Sequence, residues 1–126
     1  MRDYEVETSV LINTGFDDRE CNCLMFDGMK GKIVEDIKAA FKNHEILSNY
    51  ITSDLTFSFL GYKAKVDYTF SCHDENEAEA ESFSNSCLQD IKGNLREQGY
   101  HMERITCRAN EMDMGWLDRL EGMYFG

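Results

Sequence analysis

Two groups of residues in this chain have side chains suited to chemistry: its thiols with a few imidazoles, and a dense run of carboxylates. Cys21 and Cys23 form a CxC pair, and Cys72 is followed by His73. Four such ligands could close a tetrahedral zinc site. The spacing matches no common zinc ribbon or finger, however, and Cys72 and His73, adjacent on a predicted strand, would point to opposite faces. The expectation is no metal, with Cys87 and Cys107 as core residues on apolar faces. An enzyme needs a nucleophile beside a base, or two carboxylates tuned apart. The only imidazoles are His44, His73 and His101, and there is no glycine-rich phosphate loop. The residues therefore point to a protein that is not an enzyme and holds no cofactor.

The carboxylates are the stronger signal. Asp74, Glu75, Glu77, Glu79 and Glu81 place five acids in eight residues, at the start of a predicted helix. The first of them suit the positive end of the helix dipole. Glu75 with Glu79, and Glu77 with Glu81, are like-charged pairs at i,i+4 that cost a few tenths of a kcal/mol each. A helix that tolerates this repulsion is a candidate to meet a basic surface, although a solvated helix start is the plainer explanation. Asp17, Asp18 and Glu20 form a second acidic group in or near a loop. A third candidate surface is apolar: Trp116, Leu120 and Tyr124, with Leu117 and Met123, make a stripe suited to a protein interface or to covering a sheet edge.

The whole chain agrees with an acidic surface. Its formal charge of -11 arises from 24 acidic against 13 basic side chains. Such a surface repels phosphate backbones and anionic lipid, so direct binding to nucleic acid or membrane is disfavoured and basic protein partners are favoured. Five cysteines cannot all pair within one chain. The start Met1-Arg2-Asp3 has no apolar run behind it, and no stretch approaches a membrane span. These features predict a cytoplasmic protein with reduced thiols. No proline is present.

The elements that must position these residues follow from periodicity. Tyr4, Val6, Thr8, Val10 and Ile12 alternate with Asp3, Glu5, Glu7 and Ser9, a half-buried strand. Asn13-Thr14-Gly15 is a turn. Residues 16–26 admit a short strand, a loop or a helical turn, closed by Asp27-Gly28. Lys30 to Asn43 reads as a helix through Ile33, Val34, Ile37, Ala40 and Phe41. His44 to Ser53 is a connection with room for a further helical turn. Leu55, Phe57 and Phe59, then Ala64, Val66, Tyr68 and Phe70, give two strands joined as a hairpin at Gly61-Tyr62. A helix follows from an Asp74 cap, with Glu77 placed for a capping box, to Gln98, and Gly99 stops it. Tyr100 to Asn110 is a last strand, and Asp113 could cap a short terminal helix.

Strand, helix, two strands, helix, strand is the order of a ferredoxin-like βαββαβ sandwich: an α+β domain with a four-stranded antiparallel sheet and two helices on one face, here with a short C-terminal helix. Residues 1–126 read as a single domain. In that sheet Asp3, Glu5 and Glu7 would form an acidic row on the open face. Lys63 and Lys65 would flank it on one side, and Arg104 and Arg108 on the other. The aromatics Phe57, Phe59, Tyr68 and Phe70 would face the core, unlike the stacking aromatics of RNA-binding members of this fold. Two functions are expected from these readings. The first is a non-enzymatic acidic binding protein or inhibitor that engages a basic, nucleic-acid-binding protein as a nucleic-acid mimic, in the manner of small phage or mobile-element inhibitors. The alternative is a regulatory or ligand-binding domain acting as a homodimer.

Overall fold

The computed structural model describes residues 2–16, 22–51 and 54–111, with the backbone alone at 22 and 23. Its elements are β1 (Arg2–Asn13), α1 (Asn22–Lys42), α2 (Glu45–Tyr50), β2 (Thr56–Leu60), β3 (Lys63–Asp74), α3 (Glu77–Glu97) and β4 (His101–Glu111). The four strands form one sheet in the order β2-β3-β1-β4, and every neighbouring pair is antiparallel. Read from the other edge, the order is β4-β1-β3-β2, with β1 and β3 central. This is the ferredoxin-like sandwich that the element order predicts.

Alternation builds the sheet. Tyr4, Val6, Val10 and Ile12 of β1 and Ala64, Val66, Tyr68 and Phe70 of β3 are buried on one face. Both long helices cover that face. Phe41 of α1 sets its ring 5.4 Å from that of Tyr68, and Ser84 of α3 places its hydroxyl 3.3 Å from Thr8. The buried stripe of α3 is Ala80, Ser84, Cys87, Leu88, Ile91 and Leu95. A fully shielded side chain such as Leu88 or Phe41 contributes roughly 1.5–3 kcal/mol through burial. Helix α3 ends in a Schellman motif: Tyr100 N–H donates to Leu95 O at 2.9 Å and Gly99 N–H to Arg96 O at 3.0 Å. Gly99 has a φ of 91°, which a side chain would strain.

Four expectations are corrected. First, α1 begins at Asn22, eight residues before Lys30, and runs through the Asp27-Gly28 pair that resembles a stop. The interior glycines Gly28 and Gly31 each cost about 1 kcal/mol in a helix. Burial of Phe26 offsets this: its ring lies 5.4 Å from Phe59 and 5.1 Å from Tyr62, and the Lys30 ammonium sits over it. Second, β3 extends to Asp74, because β1 continues to Arg2 and pairs with it there.

Third, Asp74 is accordingly not the helix cap. Asn76 is, its side-chain oxygen accepting from Glu79 N–H at 2.9 Å, and Glu77 forms no capping box with Asp74. Fourth, the charged ladder on the open face is out of step. Glu7 does stand opposite Arg108, but Glu5 and Glu7 face Ser71 and Thr69 on β3, whereas Lys63 and Lys65 face Asn13 and Leu11. Glu5 and Lys63 share a face but lie towards different ends of it.

The connection after α1 holds the short helix α2, which His44 caps by accepting from Leu47 N–H at 3.1 Å. The predicted terminal helix, and with it Trp116, Leu120 and Tyr124, lies outside the described residues.

Candidate functional site

The acidic run occupies the junction between β3 and α3. The strand carries Asp74 to the sheet end, Glu75 and Asn76 make the bend, and Glu77 opens the helix. Glu75, Glu77 and Glu79 are exposed, and among the described residues no lysine or arginine forms an ion pair with any of them. Two nitrogen-bearing side chains described at this end of the sheet are already engaged. Arg2 holds Glu111 at 3.2 Å, and His73 holds Asp3 at 2.7 Å. The positive end of α3 and the Asn76 cap support this concentration of charge.

Not all five acids serve one surface. Glu81 turns towards the sheet, where its carboxylate accepts from Ala109 N–H at 3.1 Å. Strand β4 is an edge, so this bond satisfies a backbone donor that no further strand would pair. Asp74 is half-buried and takes the hydrogen bond of the Cys72 thiol; burial first, then this bond and the Asp74 and Asp3 charges, push that thiol up to about 12. The two like-charged pairs are thereby relieved. Glu75 precedes the helix, and Glu81 is bonded to β4, so neither pair is a free i,i+4 contact. The surface that remains is Glu75, Glu77 and Glu79. Asp17, Asp18 and Glu20 lie outside the described residues.

The other expected chemistry resolves as follows. Cys72 is buried on the helix face of β3, while His73 is exposed on the other, so a single ion could not take both without breaking the strand. Among the described residues no three His, Cys, Asp or Glu side chains are grouped to hold a metal. The side chains of Cys21 and Cys23 are outside the described set. Cys87 is a buried free thiol and Cys107 a half-buried one.

The open face of the sheet holds a shallow depression of about 530 Å³ that brings together Glu7, Lys65, Asp67 and Arg108 with the hydroxyls of Ser9 and Thr106. Both signs of charge meet there, and none of the strands turns an aromatic side chain to this face among the described residues. Base stacking of the RNA-binding kind has no platform there.

Two features were not found in the sequence. Glu103 stands where the pairing of β1 with β4 shifts register, and it bonds Lys63 at 2.7 Å and Asn13 at 2.9 Å. The Lys63 ammonium, then the Asn13 amide, hold its carboxyl below the usual carboxylate range. A cluster of Thr8, Ser84 and Cys107 is enclosed between α3 and the sheet, with Ser84 Oγ 3.4 Å from Cys107 Sγ. The available signal was a Ser on the apolar stripe of α3 and a Thr among the inward positions of β1.

The fold and site thus define a ferredoxin-like sandwich with an acidic junction at one end of its sheet. No family model and no curated protein matches the chain. Among solved structures it is similar to the de novo designed protein Foldit4, at 12% identity and a TM-score of 0.46 over 88% of this chain and 99% of that one. It is also similar to a C-terminal segment of the alpha subunit of aIF2 from Pyrococcus abyssi, at 16% identity and a TM-score of 0.39 over 86% of this chain and 52% of that one. Likenesses this distant carry no argument about function. No described helix is long and apolar enough to cross a membrane.

Proposed function

We propose that this chain is a non-enzymatic binding protein of the cytoplasm that uses the acidic start of α3 to engage, and so inhibit, a basic protein partner, presenting carboxylates where that partner would otherwise meet nucleic-acid phosphates. The observation that supports the reading is the exposure of Glu75, Glu77 and Glu79 on one junction, with the nearby side chains Arg2 and His73 already committed to other acids. Unneutralised carboxylates on a molecule of net charge -11 attract cationic surfaces at long range and repel polyanions.

The test is calorimetric titration of the protein with a defined arginine-rich peptide, and of a Glu75→Gln, Glu77→Gln, Glu79→Gln triple variant alongside. Binding should weaken steeply between low and moderate salt, and the triple variant should bind about tenfold or more weakly, the equivalent of about 1.4 kcal/mol. Equal affinity of the variant and the wild type would refute the site. Affinity indifferent to salt would refute the mechanism.

A further inference from the structure

The two edges of the sheet are built differently. Edge β4 carries Glu103, Arg104, Arg108 and Glu111, has the register shift beside it, and has one outward N–H covered by Glu81. These are the usual devices that prevent one sheet from adding to another. Edge β2 has none of them. Its sequence, Thr56-Phe57-Ser58-Phe59-Leu60, holds no charge and no proline, and its pairing with β3 is regular throughout. Phe57 and Phe59 are only half-buried, and Leu60 is 58% exposed. The apolar surface continues around the edge: Phe26 packs on Phe59, and the residues just before it, Leu24 and Met25, are 77% and 63% exposed.

The strand is also complementary to itself. Leu60 and Lys63 close a two-residue loop, which makes them a hydrogen-bonded pair. By alternation, the backbone N–H and C=O groups of Phe57 and Phe59 point away from β3, to the edge that no other described strand pairs. If a second copy approaches antiparallel with the two-fold axis at Ser58, Phe57 of each copy meets Phe59 of the other. Those are the residues whose backbone groups point outward, so two hydrogen-bonded pairs form with aromatic side chains opposed on the helix face. Ser58 meets its own copy on the open face, in a non-hydrogen-bonded pair. Thr56 meets Leu60. A register shifted by one residue would put Phe beside Ser and leave the outward backbone groups unmatched.

We propose that the protein forms a symmetric dimer by antiparallel pairing of β2 with the β2 of a second copy, joining two sheets of four strands into one of eight. The contact is short and uncharged on a molecule whose net charge opposes self-association. The dimer is therefore concentration-dependent and tightens as salt screens that repulsion, the opposite of the salt response expected at the acidic junction. The two proposals use different elements and can fail separately.

The experiment is sedimentation velocity over a concentration series at low and high salt, on the wild type and on Ser58→Glu. Ser58 is exposed and opposite Lys65, so the substitution leaves the folded monomer unstrained, which thermal unfolding of the variant checks. The expected result is a wild-type monomer–dimer equilibrium that strengthens with salt, weakened about tenfold or more when two carboxylates are set against each other at the axis. Mild oxidation of Ser58→Cys, followed by peptide mapping, reads the register: a 58–58 disulfide is expected, and Thr56→Cys should give no 56–56 link. A wild type that is monomeric at every concentration overturns the proposal, leaving the edge to an extended segment of another protein. So does a dimer unaffected by Ser58→Glu, or a 56–56 link in place of the 58–58 one.

Discussion

Tyr68 offers the sharpest test of the packing. The residue is 3% exposed, and its hydroxyl is buried without a hydrogen-bond partner. Its polar neighbours Thr8 and Ser84 lie beside the phenol and bond to each other at 3.3 Å, and neither meets its oxygen in hydrogen-bonding geometry. A buried hydroxyl that has lost water and gained nothing costs about 1–3 kcal/mol. Tyr68→Phe removes that oxygen and keeps the ring, with its contacts to Phe41 at 5.4 Å and Phe70 at 6.4 Å. The small void left behind returns part of the gain, so a net stabilisation of about 1 kcal/mol is expected. With about 2.1 cal/mol/K of unfolding entropy per residue over 126 residues, this raises Tm by about 4 °C. Thermal and urea unfolding followed by circular dichroism at neutral pH would measure it, with urea separating a change in stability from one in cooperativity. A fall in Tm of similar size would refute the reasoning, since it would mean that the phenol bonds within the Thr8–Ser84 cluster or to an enclosed water.

The cap of α3 and the buried thiols and phenols can be tested in the same way. Asn76→Ala should cost about 1 kcal/mol in urea unfolding by removing the cap on Glu79 N–H, while Asn76→Asp should retain most of it; equal loss in both would mean that the cap is not the cause. The second concerns alkaline pH. Burial raises the Tyr68, Tyr100, Cys72 and Cys87 groups above their ordinary values, Cys72 to about 12. Each is neutral when protonated, so the unfolded chain loses these protons first. The stability linked to them is full below the unfolded thiol and phenol values of 9.0 and 10.0, and is lost as pH rises through the higher folded values. Tm should be flat from neutrality to about pH 8.5 and then fall; a flat profile to pH 11 would contradict the burial of these groups.

Much of the fold was legible because sheet faces and helix stripes are periodic. Alternation at Tyr4 to Ile12 and Ala64 to Phe70 identified the inward residues directly, and the order of elements then left one sheet topology favoured. Parity is blind, however, to a slip by any even number of residues, since every side chain keeps its face. That is why the acidic row of β1 was placed beside Lys63 and Lys65, when the register sets it beside Thr69 and Ser71. Asp27-Gly28 resembles a helix stop, and only the long-range burial of Phe26 against Phe59 and Tyr62 shows why the helix continues through it. At the junction both Asp74 and Asn76 are good caps by type, and the length of β3 decides between them. The acidic run itself was plain in the sequence. That Glu81 would turn to the β4 edge was not, because it depends on which backbone donor an edge strand leaves open.

The central position of β1 has a consequence for how the protein is made. Both of its hydrogen-bonding edges are filled by strands that lie far downstream, β3 starting at Lys63 and β4 at His101. At about 5–20 residues per second, the ribosome delivers the first of these several seconds after β1 leaves it, and the second some seconds later still. In that interval a twelve-residue segment carrying Val6, Val10, Leu11 and Ile12 has no native neighbour on either side. The acids Asp3, Glu5 and Glu7 alternate along that segment, and like charges so placed oppose pairing between identical nascent chains.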